Sequence, residues 1–368
     1  WQLFAKICQM WLSRSMRALD GTSTTSPAPA STATKPATIN DVALAAGVAA
    51  STVSRALSMP GRVNAVTRER IERVAEELNY VPNSQARARI SGRTGAVAVL
   101  VSDITNPFYF GIIRGTQQQL KAAGYTQLLV DTEESGELEA SMLAKLRPSC
   151  DGAILAASRL SDAQLAALAN DMPIVAINRA TRGVPSVVID SAAGIDQALE
   201  HLVSLGHVRV LYVSGPRGSW SNEKRWRAMR STAERLGVEV SRTVAFAPKT
   251  TSGAAAADAL LNSGATACIA FNDLLAIGML ARFRERKVRV PDDVSVVGCD
   301  NIFGADFCNP PLTTLTAPIE QAGRVAVSML LSSLTPVGPK SPRRSVLLPT
   351  HLTVRDSTGP APPRKNEP

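Results

Sequence analysis

Polar and aromatic side chains recur where short apolar runs end in the later part of the chain. Asp103, Asn106, Phe108 and Tyr109 close or follow AVAVLVSD (96–103), and Asn178 and Arg179 close PIVAINR (173–179). Trp220 and Arg225 follow RVLYVSG (209–215), Asn272 and Asp273 follow ACIAF (267–271), and Asp300 follows VSVVG (294–298). Such a set suits a sugar: rings cover its C–H faces, while guanidinium, amide and carboxylate groups bond vicinal hydroxyls. Each residue also has a plainer use. Phe108 can simply pack, Asp273 can cap the helix after it, and Asn178 can bond backbone.

The same residues offer little for catalysis or metal binding. Ser51, Ser54 and Asp300 have no histidine beside them, so no nucleophile–base pair forms, and no phosphate-binding GxxxxGK[ST] is present. Histidine occurs only at 201, 207 and 351. His201 and His207 are out of helical register with Gly206 between them, which points to structural capping. Neither HExxH nor a Cys/His cluster exists. No cofactor, no metal and no enzymatic activity are therefore expected. The five cysteines (8, 150, 268, 299, 308) are scattered without a CxxC pair, the usage of free thiols in a reducing cytosol. No apolar run reaches the ~18 residues of a spanning helix. A cytoplasmic protein without a membrane partner is expected.

The elements that must hold these residues alternate between strand and helix from Gly95 onward. Strands are expected at 96–103, 127–131, 152–157, 173–179, 187–190, 209–215, 243–247, 267–271 and 294–298. Helices are expected at 111–123 and 139–146, with another running through His201. A final strand, 345–357, returns to the body. This alternation gives parallel sheets covered by helices, whose ligands bind beyond the carboxyl ends of the strands.

A different pattern precedes them. Thr38 is a plausible N-cap for a helix whose apolar stripe is Ile39, Val42, Ala43 and Ala46, and Gly47 supplies the left-handed stop. A second short helix turns Val53 and Leu57 inward and Ala50, Ser51, Ser54 and Arg55 outward. A third, about Asn64 to Leu78, buries Ile71, Val74 and Leu78. Two short helices joined at a glycine and closed by a third make a helix-turn-helix. Residues 38–93 carry eight arginines against five acidic residues, and the chain has a net charge of +9, both compatible with a polyanion partner. Residues 21–38, rich in Ser, Thr, Pro and Ala, cannot bury a core, and the start before Met10 and Met16 reads as over-extended.

The stretches TINDVALAAGVAASTVSRAL and RERIERVAEELNYVPNSQARARISGRTG closely resemble the DNA-binding head and hinge of the lac repressor (LacI/GalR) family. The resemblance continues through NPFYFGIIRG, HLVSLGHVRVLYVSGP, FNDLLAIGML, DDVSVVGCDN and PPLTTL, covering roughly Thr38 to Ser357. It implies an all-α helix-turn-helix head joined to an α/β two-lobed body like the periplasmic sugar-binding proteins, with Rossmann-like lobes. It places Ala50, Ser51 and Arg55 at base-reading positions and Thr52 and Ser54 at backbone or groove contacts. Arg55 is the candidate for bidentate guanine reading, with a phosphate contact as its alternative. Asn83 resembles the start of a hinge helix, and Tyr80 packs beneath it. The hinge departs from the family, in which a Leu–Arg order is common; here Arg89 precedes Ile90. Minor-groove reading by Arg89 is favoured over wedging by Ile90. In the body the resemblance aligns Asn178, Arg225, Asn272 and Asp300 with ligand positions and sets Phe108, Tyr109 and Trp220 nearby.

The expected organisation is a leader, disordered or over-extended, at 1–37, a head at 38–93 with a hinge helix at about 82–91, a two-lobed effector-binding and dimerisation body at 95–356, and a disordered tail at 357–368. The expected function is a transcriptional regulator, read as a repressor. It would bind palindromic operator DNA as a homodimer under control of a small effector, carbohydrate rather than purine. A periplasmic-type sugar-binding protein would share the body but predicts a signal peptide and no basic head. An activator would share every residue.

Overall fold

The computed structural model describes residues 37–58, 60–80, 93–334 and 345–363. The chain divides into two compact units, residues 1–83 and 84–368.

In the first unit, α1 (Ile39–Ala45) begins at Thr38, whose backbone N–H and hydroxyl both donate to Asp41 Oδ2 at 2.7 Å. This reciprocal use of the first turn satisfies donors that a helix start leaves open. Gly47 turns the chain at φ +63°, a conformation that strains any residue with a Cβ. The chain then enters α2 (Ala50–Ser58) and, after Asn64 Oδ1 accepts from Val66 N at 2.9 Å, α3 (Ala65–Glu77). Val42, Val53 and Ile71 are fully buried where the three helices meet. Each such side chain contributes about 1.5–3 kcal/mol. Leu78, expected inside, is instead 38% exposed, because the helix has ended at that residue and the chain turns away.

The second unit holds two six-stranded sheets. Lobe 1 is built from β1 (Ala96–Val101), α4 (Phe108–Ala122), β2 (Thr126–Asp131), α5 (Gly136–Leu146), β3 (Gly152–Ala156), α6 (Asp162–Asp171), β4 (Ile174–Ile177) and β5 (Ser186–Ile189). Lobe 2 follows with α7 (Ser191–Ser204), β6 (Arg209–Val213), α8 (Trp220–Leu236), β7 (Glu239–Arg242), α9 (Gly253–Ser263), β8 (Ala267–Ala270), α10 (Asp273–Glu285), β9 (Ser295–Asp300) and β10 (Thr313–Thr316). The chain returns to lobe 1 for α11 (Ile319–Leu334) and β11 (Ser345–Leu348), then ends its last strand, β12 (His351–Thr353), in lobe 2. The strand orders are β11-β5-β4-β3-β1-β2 and β12-β10-β9-β8-β6-β7. Val97 to Val101 and Ala153 to Ile154 are buried on both faces, as continuous apolar runs in parallel sheets must be. Among the described residues every strand pairing is parallel except β10 with β12.

The chain thus crosses between lobes after β5, after β10 and after β11. Two crossings are tied together: Asp190 N donates to Leu348 O at 2.8 Å, and Thr350 Oγ1 donates to Asp190 O at 2.7 Å. Helix α11 closes the lobe 1 core by lying against α4. The backbones approach so closely that a Cβ on Gly115 would sit 2.1 Å from the Glu320 carbonyl oxygen.

Several expectations are corrected. The strand expected at 243–247 is irregular, and β7 lies just before it. Its own pattern is weak because it is an exposed edge, while Phe246 of the following loop packs into the lobe 2 core. The single strand expected at 345–357 is two, split at Pro349, which has no N–H to donate, and the halves join different sheets. Residues 357–363 are not the expected disordered tail. Ser357 is fully buried, donating to Val296 O at 2.6 Å and accepting from Thr313 N at 2.8 Å. His201 and His207 serve this segment rather than a helix end: His201 Nε2 meets Thr358 Oγ1 at 2.9 Å, and His207 Nε2 meets the Gly359 carbonyl at 3.1 Å. The expected helix at 111–123 starts earlier, so Phe108 and Tyr109 belong to its first turn.

Gly115→Ala is expected to lower the unfolding free energy of lobe 1 by about 1–3 kcal/mol, the usual cost of overpacking. Urea denaturation followed by circular dichroism reads this as a lower midpoint; an unchanged midpoint would mean that α4 and α11 separate freely.

Candidate functional site

Two candidate surfaces emerge, one on each unit. On α2, Val53 and Ala56 face the core, while Ser51 and Arg55 are exposed and Ala50, Thr52 and Ser54 are half-buried. Of the four residues expected to face outward, Ser51 and Arg55 do so, whereas Ser54 is half-buried and Ala50 packs against the core of the three helices. Asn83, Arg89 and Ile90 lie outside the described residues.

In the second unit, the strand ends of both lobes line one narrow cavity of about 40 Å³. Lobe 1 contributes Asn106, Phe108, Tyr109, Glu134, Arg159 and Asn178; lobe 2 contributes Ser219, Ser221, Arg225, Phe271, Asn272 and Asp300. Seven of the nine sequence-expected ligand residues meet here, and two do not. Arg179 turns away, donating to Asp162 Oδ1 at 2.7 Å and Leu160 O at 3.2 Å. Trp220, the first residue of α8, instead lines a separate recess with Lys224, Ala180 and Leu347.

The amides are set by their own backbones. Asn106 Oδ1 accepts from Phe108 N at 3.0 Å at the start of α4. Asn272 Oδ1 accepts from Leu275 N at 3.0 Å at the start of α10, while its Nδ2 donates to Pro248 O at 3.2 Å. Asn178 stands at φ +54° with Oδ1 accepting from Ile189 N at 3.0 Å. The plain alternative of backbone bonding is thus real for Asn178, although its Nδ2 is left to donate. Phe108 also packs into the lobe 1 core, edge to face with Tyr109 at 5.1 Å.

The charged centre is Arg225. Its Nη2 donates to Asp300 Oδ1 at 3.3 Å, its Nη1 donates to the Phe271 carbonyl, and its guanidinium lies 5.0 Å over the Phe271 ring. The side chain is buried, and its Nε has no hydrogen-bond partner. A buried donor without an acceptor costs about 1–3 kcal/mol, which an oxygen-rich ligand would recover. Burial pushes the Asp300 carboxyl up to about 6, against the pull of Arg225. Asp273 lies deeper; it does not cap α10, since Asn272 does. It accepts from Thr314 Oγ1 at 2.6 Å and Ile302 N at 2.9 Å, and burial followed by repulsion from Asp300 pushes it up to about 8.

Reasoning from strand ends missed Glu134 and Arg159. The signal is present in the sequence, since both follow strands (β2 and β3) by three residues. Phe271 was read as the last residue of a strand rather than as a wall. Among the described residues, no group of His, Cys, Asp and Glu is placed to hold a metal ion, and no helix is long and apolar enough to cross a membrane.

Two family profiles match the chain: bacterial regulatory proteins of the lacI family over residues 38–83, and a periplasmic binding protein-like domain over 199–358. The transcriptional regulator DegA of Bacillus subtilis (strain 168) is 33% identical over 333 residues, covering 88% of this chain and 98% of that protein. The transcriptional repressor CytR of Escherichia coli (strain K12) is 32% identical, covering 88% and 96%. Among solved structures, a lac repressor dimer bound to operator and the anti-inducer ONPF superposes with a TM-score of 0.77 at 27% identity, covering 88% of this chain and all of that one. The complex of the regulator CelR with cellobiose gives a TM-score of 0.63 at 31% identity over 87% and 99%. The chain belongs to the lacI family of bacterial regulatory proteins, DNA-binding regulators of transcription that join a helix-turn-helix to a two-lobed body.

The Asp273 environment has a consequence for pH. A carboxyl raised by folding gives stability that is complete below its unfolded value and is lost as pH rises through the folded one. With Asp273 raised from the ordinary 3.8 to about 8, thermal stability is expected to decline as pH rises from about 4 to about 8 and to level off above that. Asp273→Asn should flatten that decline; melting curves of both proteins that stay parallel across the range would contradict it.

Proposed function

We propose that the chain is a homodimeric repressor that binds a palindromic operator in the cytoplasm and releases or tightens on it when a sugar-like ligand occupies the interlobe cavity. The observation that carries this reading is the cavity itself. A buried, partly unpartnered Arg225 sits with Asp300, Asn178 and Asn272 between aromatic walls, which suits hydroxyl groups. A relative bound to cellobiose and another bound to ribose support a carbohydrate in this place. Nothing in the arrangement pairs a nucleophile with a base, and the ligand acts as a signal rather than a substrate.

Helix α2 enters the major groove with Ser51 and Arg55 toward base edges and Ala50 offering its methyl to thymine. Thr52 and Ser54 approach the groove wall or backbone. Because Ala49 has no side-chain acceptor to cap α2, the first N–H groups of that helix are suited to a phosphate. One head reads a half-site, so a two-fold dimer reads two, about 34 Å apart. Arg89, outside the described residues, is the candidate to read the minor groove at the operator centre. The ligand favours one lobe arrangement, and that preference alters operator affinity by a coupling of about 1–3 kcal/mol.

Selection of bound DNA from a random pool tests the reading: one enriched palindrome supports it, and only salt-labile binding without sequence preference refutes it. Arg55→Ala is expected to lose about 1–3 kcal/mol of discrimination between that palindrome and scrambled DNA, with nonspecific binding retained. Fluorescence anisotropy at matched salt measures both affinities, and equal discrimination would reassign Arg55 to a phosphate. Arg225→Ala should leave operator affinity unchanged while removing the response to ligand; a normal response would place the ligand elsewhere.

A further inference from the structure

The cavity contains two arginines and two carboxylates, but the two ion pairs are built differently. Arg225 donates to the Phe271 carbonyl but reaches its carboxylate, Asp300, only at 3.3 Å and leaves its Nε unpartnered. Arg159 is held hard. Its Nε donates to Glu134 Oε2 at 2.7 Å, its Nη2 donates to the same oxygen, and its Nη1 donates to the Ala157 carbonyl at 2.8 Å. Its backbone N–H is fixed as well, donating to Glu139 Oε2 at 2.9 Å. The side chains are 9% and 21% exposed, so solvent screens this pair weakly.

Glu134 is in place at a conformational cost. It stands at φ +60°, a region L residues avoid, directly after Glu133 at φ +50°, and its N–H donates to Ser102 O at 2.7 Å. Ala157, Asn178 and Asp300 also have positive φ, so the strained non-glycine residues concentrate around this cavity. Strain that persists at such a place marks a geometry selected for what it presents. Here it presents a carboxylate whose Oε2 takes both Arg159 bonds, leaving Oε1 to accept from a hydroxyl.

We infer that the cavity selects an uncharged polyhydroxy ligand, and that Glu134, by occupying Arg159, is the residue that excludes anionic ligands such as sugar phosphates and sugar acids. This rests on the ligand-binding reading above and narrows it. An anion reaching Arg159 has to displace a carboxylate already bonded through one oxygen to two N–H groups. It then sits beside that carboxylate at short range and low dielectric. Specificity of this kind comes from a repulsive element placed against the wrong ligand. A hydroxyl meets no such penalty, since it donates to Glu134 and accepts from Arg225.

The test uses the full-length chain and matched probes: ribose with ribose 5-phosphate, cellobiose with cellobionate, and glucose with glucuronate. Isothermal titration calorimetry is run on the wild type, on Glu134→Gln, and on the Glu134→Gln/Arg159→Gln double variant. The wild type should bind at least one neutral sugar and bind its anionic partner at least about tenfold more weakly, a difference of ~1.4 kcal/mol. Glu134→Gln, nearly isosteric, should narrow or invert that ratio by unmasking Arg159, and the double variant should lose the gain. A wild type that binds the anionic member equally or better overturns the inference while leaving the ligand site standing. So does a folded Glu134→Gln protein with unchanged discrimination. Failure of every probe to bind the wild type overturns the carbohydrate reading itself, and the inference with it.

Discussion

Three crossings between the lobes constrain everything else in the body. Because the chain passes from β5 to α7, from β10 to α11 and from β11 to β12, each lobe is assembled from separated segments. Both sheets are parallel but for one edge strand, so each presents its carboxyl ends on one side, and the crossings turn those sides toward a common cavity. The Asp190 carbonyl and N–H, bonded to Thr350 and Leu348, lock two crossings side by side. Short connections of this kind permit rotation of one lobe against the other more readily than sliding.

The cavity then sets an energetic problem. Arg225 and Asp300 are removed from water, and removing one partner of such a pair is costlier than the pair is stabilising. The cavity of about 40 Å³ has room for a few water molecules but not for a sugar ring. Admission of a ligand therefore requires the lobes to part or the walls to shift. Two contacts join the lobes and have to change when that happens: Lys249 Nζ lies 3.8 Å from Asp103 Oδ2, and Ser221 Oγ lies 3.5 Å from the Asn178 carbonyl oxygen. A ligand that replaces these contacts with its own has a differential affinity for two lobe arrangements, which is the physical requirement for a switch.

Much of this was legible in the sequence, for identifiable reasons. Thr38, Gly47 and Asn64 are punctuation whose meaning is local, and they bound α1, α2 and α3 as read. The runs around Val99, Ile154, Val175 and Val296 are buried on both faces, so apolar content alone marks them. Asn106, Asn178, Arg225, Asn272 and Asp300 converge because strand ends converge in parallel sheets. What was not legible depends on partners far away in the chain. Residues 357–363 look too polar to be ordered until Ser295, Thr313 and His207 supply their hydrogen bonds. Trp220 and Arg179 follow strands as the ligand residues do, yet their side chains turn aside: Arg179 has Asp162 to reach, and Trp220 faces a different recess. Pro349 splits a strand that composition alone would continue.

The central claim is that the interlobe cavity and the DNA-binding helices report on each other. The most direct test measures the affinity of one neutral sugar for the protein alone and for the protein saturated with its selected palindrome, and the affinity of the palindrome with and without saturating sugar. Linkage requires the two ratios to be equal, and the account predicts a common factor of about 5–150. Affinities for sugar that are identical in the presence and absence of operator would contradict it, whatever each site binds by itself.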